Sequence, residues 1–292
     1  MYKSTNILVS ICCVSFNHEK YLEQCLRSFC FQKTNFKFEV LIHDDASTDR
    51  SQEIIKEFQN EYPEIIKPIC QTENQHSQGR LKIHTLFNYP RAKGKYIALC
   101  EADDFWTDEH KLAKQVKLLE ENPDCVLSFH ANSYLFPNNL KRKNKTYRPL
   151  KRVSNKYFTE DIIEYGGNFM HTASMLFLKS ALPPNGINWI EDCPVGDLPS
   201  SLYLSLQGNI IYCDSVMSTY RVFTENSWSK QKQKSLHVQK IHYNKMIKMW
   251  KQFDEYTNYK FDKKVQKAIA VIKHSKRKGI LKFYLAKLGL RF

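Results

Sequence analysis

The sequence predicts an α/β fold, a single open sheet flanked by helices and followed by a helical C-terminal segment. Three observations carry this. Residues 7–16 (ILVSICCVSF) form an unbroken apolar run, the pattern of a strand buried on both faces of a sheet. Strand-like and helix-like segments then alternate as far as residue 130, the order produced by right-handed crossovers. Residues 229–292 switch to a lysine-rich helical pattern.

The elements follow in order. After the first strand, Tyr21, Leu22, Cys25, Leu26 and Phe29 recur at helical spacing and predict a helix with one apolar face. Residues 38–43 (FEVLIH) read as a second strand. The next helix has Ile54, Ile55, Phe58 and Tyr62 inward, with Ser47 or Thr48 as its N-cap. Residues 65–70 read as a third strand interrupted by Pro68, and a polar loop and helix cover 72–92. Residues 95–100 (KYIALC) form a fourth strand that ends at Glu101, Ala102, Asp103 and Asp104. A helix over 108–122 leads to a strand at 125–130. The order is less regular beyond 131: a strand at 172–178, a helix at 198–206 and one or two strands at 209–221.

The composition, 42% hydrophobic and 25% charged, is that of a globular chain and excludes general disorder, collagen-like repeats and a disulfide mini-protein. The net charge of +14 is local. Residues 229–292 hold 18 bases and 3 acids, whereas residues 1–228 hold 26 bases and 27 acids. A second basic run, 141–156, has eight bases and no acid and reads as a solvated loop able to steer an anionic substrate. Charge therefore divides the chain into a domain at 1–228 and a basic helical extension at 229–292. The end of that extension, GILKFYLAKLGLRF, suits an anionic membrane interface, with a packed helix as the plainer alternative. Nine scattered cysteines without a CxxC pair predict reduced, buried thiols. The first apolar run stops at Asn17, too soon for a signal peptide, and no stretch reaches the ~20 apolar residues of a membrane span. The expected location is cytoplasmic, peripheral on the inner face of the membrane.

In open α/β sheets ligands bind beyond the carboxyl ends of the strands. Three polar clusters fall there: residues 15–18, Asp44 with Asp45, and residues 101–104. GxGxxG, GxxxxGK[ST] and HExxH are all missing, and nine glycines offer few backbone nests for phosphate. A phosphorylated ligand at this rim would need a cation. Asp103 and Asp104 are hard oxygen donors suited to Mg²⁺ or Mn²⁺. A lone acidic pair reads more simply as a helix cap or a solvated turn; the third acid, Glu101, and the alignment with Asp45 favour metal.

These residues also carry a family resemblance. Val14, Ser15, Phe16 and Asn17 stand where inverting glycosyltransferase family 2 usually has Pro-Thr-Tyr-Asn. Residues 43–49 (HDDASTD) match its Asp-Asp-x-Ser-x-Asp motif, and residues 101–104 (EADD) match its DxD-type motif. Gly196 and Asp197 before a helix resemble its later acidic motif, and residues 217–221 (MSTYR) its Tyr-Arg segment. Over residues 7–228 the chain thus resembles that family, of bacterial surface-glycan type, which implies the GT-A fold.

The resemblance implies roles. Ser15, Phe16, Asn17 and Asp45 would hold the nucleobase, with uracil favoured by an aspartate acceptor. His76 and Gly79 lie in the loop that closes on the nucleotide. Asp103 would approach the ribose, Asp104 with Asp103 would hold Mn²⁺ or Mg²⁺, and Arg221 would help stabilise the leaving diphosphate. Asp197 would be the general base, with Glu191 or Asp192 as alternatives if Asp197 only caps its helix. Asp45 has the same bland rival. His171 reads as an acceptor-side residue or, more commonly for a histidine at a strand end, a structural one, and Trp106 and Trp228 are sugar-stacking or core residues. Phe223 departs from the family, many members having His there. The implied partners are a nucleotide-sugar donor, UDP-linked by the resemblance, and a glycan or lipid-linked acceptor of cell-surface polysaccharide synthesis, with no nucleic acid. Two rivals remain: a sugar-1-phosphate nucleotidyltransferase, whose Gly- and Lys-rich N-terminal loop is missing, and a non-enzymatic basic protein that binds membrane or nucleic acid.

Overall fold

The computed structural model describes residues 6–80, 82–137, 145–149, 153–183, 186–187, 193–224 and 236–287. The first half runs β1 (Ile7–Ser15), α1 (Glu19–Cys30), β2 (Lys37–Asp44), α2 (Ser51–Glu61), β3 (Ile66–Cys70), β4 (Tyr96–Glu101), β5 (Phe105–Trp106), α3 (Lys111–Glu120) and β6 (Cys125–Leu135). The second half adds β7 (Lys145–Tyr147), β8 (Lys156–Tyr157), α4 (Thr159–Tyr165), β9 (Leu176–Leu178), α5 (Asp197–Ser205), β10 (Asn209–Arg221), α6 (Leu236–Tyr256) and α7 (Asp262–Lys287).

The strands form one sheet in the order β3-β2-β1-β4-β9-β6-β10-β5, with β7 on β6 and β8 on β10. β3, β2, β1 and β4 are parallel. β9 runs antiparallel between β4 and β6, which makes the sheet mixed. β1 sits inside the parallel half, and Val9, Ile11, Cys12 and Cys13 are all buried, so both faces are covered and the sequence shows no alternation. Pro68 is tolerated because β3 is an edge strand, where a missing N–H breaks no ladder. Gly94 admits no side chain: a Cβ there would lie 2.5 Å from the Ser10 backbone nitrogen as the chain crosses β1 to enter β4.

Three local expectations are corrected. Helix α2 begins at Ser51, and Ser47 instead donates its hydroxyl to the Asp44 carboxylate, so neither Ser47 nor Thr48 caps it. Thr172–Ser174 form a 3-10 turn because the Ser174 N–H and hydroxyl both close onto the His171 carbonyl, at 2.8 and 2.7 Å. Among the described residues of 72–92 the helical elements are a short π-helix at His84–Asn88 and a 3-10 turn at Tyr89–Arg91, where Pro90 cannot extend an α-helix.

The C-terminal helices are part of the main core. Met246, Met249, Trp250, Phe253, Phe261, Val265 and Ile269 belong to the same buried cluster as Phe129, Ile162 and Leu202 from β6, α4 and α5. The lysines at 263, 267 and 273 face solvent. From Met246 to Ile269 the extension packs into the core, across the charge boundary at 228, whereas the side chains from 278 onward, where the membrane reading lies, are outside the described residues. Residues 288–292 lie outside the described residues, as do 141–144 and 150–152 of the first basic run. Among the described residues no helix is long and apolar enough to cross a membrane. All nine cysteines are free thiols.

Candidate active site

Register brings the polar clusters to one rim. Ser15 lies beside Asp44, and Val14 beside Glu101, where β2, β1 and β4 end together. The two turns that follow β1 and β2 are laced to each other. Asn17 sits in the left-handed region (φ 56°), donates its N–H to the Ser47 hydroxyl at 2.8 Å, and accepts the Thr48 N–H at 2.8 Å. Asp49 accepts the N–H groups of Glu19 and Ser51, the first residues of α1 and α2. Ser47 and Asp49 of the second motif thus hold the rim in shape, and Asn17 is engaged in the same lacing.

Asp45 is buried beneath the following loop. Its carboxylate accepts the N–H groups of Gln75 at 2.7 Å and His76 at 3.0 Å, and its carbonyl accepts the Asn74 amide at 2.8 Å. Its own N–H donates to the Ser15 carbonyl at 2.9 Å. Asp45 therefore caps no helix, and in this conformation it anchors the loop that carries His76 and Gly79. Gly79 occupies the left-handed region at φ 83°.

Beside this loop opens a cavity of about 700 Å³. Its lining includes Phe16, His18, Glu101, Asp103 and Asp104 together with Asp197, Tyr134, His171 and Tyr220, and His242 and Met246 of α6. Asp45, Ser15, Asn17, His76, Gly79 and Arg221 do not line it. Phe16 is 37% exposed, the open member of the first motif.

The acidic turn is clamped from behind by the end of β10. The Arg221 N–H donates to Asp104 Oδ1 at 2.8 Å. The Arg221 guanidinium donates to the Asp103 carbonyl at 2.6 Å and to the Gln24 side chain, and lies over the rings of Phe105 and Tyr21. Thr224 donates its hydroxyl to Asp103 Oδ2 at 2.7 Å. Phe223, between these two partners, has φ 62°, a conformation rare for a bulky residue and held here by contacts on both sides. Burial, with Asp103 adding to it, holds the Asp104 carboxyl well above the usual range. Arg221 was expected against the leaving diphosphate. Its guanidinium is instead committed to the back of the acidic turn, because Gln24 and the two rings enclose it there.

Asp197, in the lining of the same cavity, opens α5 directly after Gly196. It accepts the Leu198 N–H at 2.8 Å. Burial raises its pKa, and the Glu101 charge adds to the shift. The alternative bases Glu191 and Asp192 lie outside the described residues, as does Trp228. Trp106 is a core residue: its indole donates to the Ala173 carbonyl at 3.1 Å and packs edge-on against Phe29. Tyr134, His242 and Met246 carry no motif signal, since their place in the wall depends on how β6 and α6 fold back.

Comparison with known proteins agrees with this arrangement. The profile described as Glycosyl transferase family 2 matches residues 10–182. An uncharacterized protein of Mycobacterium tuberculosis (strain H37Rv) is 32% identical over 226 residues; the match takes in 75% of this chain and 60% of that relative's length. Among solved structures, S. aureus TarS in complex with UDP-GlcNAc aligns with a TM-score of 0.61 at 18% identity, covering 84% of this chain and 66% of that one. The mannosyltransferase PcManGT from Pyrobaculum calidifontis, in complex with GDP-Man and Mn²⁺, aligns at 0.57 and 16% identity, covering 99% and 82%. These two likenesses speak for the fold. The open mixed sheet, the acidic turn at the end of β4 and the profile match together place the chain in glycosyl transferase family 2, with the GT-A fold.

Proposed function

We propose that the chain transfers a sugar from a nucleoside-diphosphate-sugar to a hydroxyl acceptor with inversion at the anomeric carbon. One observation supports this most: the Asp103–Asp104 turn and the Asp197 carboxylate line the same cavity. In one in-line displacement the acceptor oxygen forms its bond to the anomeric carbon as the bond to the diphosphate oxygen breaks. Asp197 takes the acceptor proton, and burial makes it a stronger base than a solvated aspartate. Inversion needs no covalent sugar–enzyme intermediate, so one carboxylate suffices.

Asp103 and Asp104 are the proposed holders of a divalent cation. Their hard oxygens suit Mn²⁺ or Mg²⁺. Among the described residues no three His, Cys, Asp or Glu side chains converge on a metal site, so donor phosphate oxygens would complete the shell. The ion would offset the charge that develops on the departing diphosphate. Arg221 acts as a positioning residue: its N–H holds the Asp104 carboxylate and its guanidinium the Asp103 carbonyl, while Thr224 holds the Asp103 carboxylate.

The nucleobase is proposed to lie on the Phe16 side, with Ser15, Asn17, Asp45, His76 and Gly79 around it. For Asp45 to meet a base edge, the loop it anchors must shift. UDP-GlcNAc and GDP-Man, named with the two structural neighbours, are the first donors to try. A glycan or lipid-linked acceptor is proposed, and the solvent-facing lysines of α7 are the proposed contact with an anionic membrane.

Product analysis separates this from nucleotidyl transfer. With donor, acceptor extract and Mn²⁺, free nucleoside diphosphate should accumulate in step with sugar transfer. Nucleoside triphosphate formed from the same donor and pyrophosphate would instead support the rival.

A further inference from the structure

Part of the cavity lining is an aromatic, uncharged cluster. Tyr134 on β6 and Tyr220 on β10 face the same side because the two strands run parallel with these residues opposite each other. Their rings meet edge to face at 5.8 Å. His171 closes the group: its ring lies against Tyr220 at 5.0 Å, and its Nε2 is 2.6 Å from the Tyr134 hydroxyl. Tyr147 of β7 supports His171 edge-on at 5.7 Å. Burial pushes the His171 imidazole down to about 4, so it is neutral at physiological pH. Among the described residues no Lys or Arg lines the cavity, whereas Glu101, Asp103, Asp104 and Asp197 do.

This chemistry discriminates between acceptors. A uronate or a polyol phosphate entering here would meet carboxylates and, among the described lining residues, no Lys or Arg, since the one proposed cation is engaged by the donor diphosphate. A neutral pyranose has a face of C–H groups that matches the negative face of an aromatic ring, and a rim of hydroxyls that can bond a phenol. Asp197 shares the cavity with this cluster, so a sugar lying on it can present one hydroxyl to the base.

We propose that Tyr134, Tyr220 and His171 form the acceptor subsite and that its ligand is a neutral pyranose. The proposal rests on the transferase reading above, and its test keeps the two apart.

Saturation-transfer NMR on the full chain would use methyl β-glucopyranoside and methyl β-galactopyranoside as neutral probes. Methyl β-glucuronide and glycerol 3-phosphate are the anionic probes. Each is measured with and without UDP or GDP and Mn²⁺. Neutral probes should bind, with the strongest transfer at ring C–H protons, and anionic probes should bind more weakly. Tyr134→Ala should weaken the neutral probes about tenfold, whereas Tyr134→Phe should keep most of their binding and both variants should bind nucleotide as before. Equal or stronger binding of the anionic probes, or neutral binding indifferent to Tyr134→Ala, overturns the proposal. So does nucleotide binding without any neutral pyranoside binding. Pyranoside binding without nucleotide binding upholds the subsite and contradicts the donor reading instead.

Discussion

Asp197→Asn is expected to lower kcat by about 10²–10⁴-fold, the range of a lost general base, while nucleotide binding stays unchanged. Asparagine keeps the shape and can still accept the Leu198 N–H through its carbonyl oxygen, so the start of α5 should survive. What is lost is the capacity to take the acceptor proton. The pH profile provides an independent check. Burial raises the Asp197 pKa, and the base works only when ionised. The rate should therefore climb as pH rises through a value above the ordinary carboxylate range, and this limb should vanish in the variant. The stability sign is the opposite. A raised folded pKa means the native state holds the proton more tightly than the unfolded chain, a contribution present at low pH and lost as pH rises through the folded value. At neutral pH Asp197→Asn should consequently be no less stable than the parent. Unchanged turnover would place the base elsewhere.

The second large effect is on stability. Trp250→Ala should cost about 3–5 kcal/mol, the usual range for emptying a large buried aromatic site. Trp250 is 2% exposed and packs edge-on against Phe253. Against a typical total of about 5–15 kcal/mol, such a loss brings the protein near its unfolding threshold. Chemical denaturation should show a lowered midpoint with little change in slope. Removing 229–292 goes further. It strips the apolar faces of α6 and α7 from the core and takes His242 and Met246 from the cavity wall. The truncated chain should aggregate. If residues 1–228 fold cooperatively and bind nucleotide, the extension is a separate unit after all.

Much of this was legible in the sequence, and the gaps have physical causes. The buried parallel strands showed as apolar runs, and the rim showed as polar residues at their ends, because both patterns are local. The motif at 43–49 was legible as a whole, but the division of labour within it was not. Ser47 and Asp49 serve the backbone of neighbouring turns, and Asp45 serves a loop 30 residues away. Arg221 stood out in the sequence as a candidate, yet the direction of its guanidinium depends on Gln24 and Phe105, brought near only by the folded sheet. The mixed sheet arises from β9 inserting between β4 and β6, a long-range pairing with no local signature. The charge count is a weak guide to the boundary at 228, because lysines and core residues share the same helices. Net charge reports on the outer face of a helix and not on what its inner face packs against.

The most direct test of metal-dependent donor binding is calorimetric titration of UDP and GDP into the intact chain, with and without Mn²⁺, alongside Asp103→Asn. Asp103 is the better site to alter, since Asp104 is 2% exposed and accepts the Arg221 N–H, so changing it disturbs the clamp. The prediction is that at least one of the two nucleotides binds tightly only with the metal, and that this gain disappears in Asp103→Asn. Binding that is equally tight without metal and untouched by the substitution would contradict it.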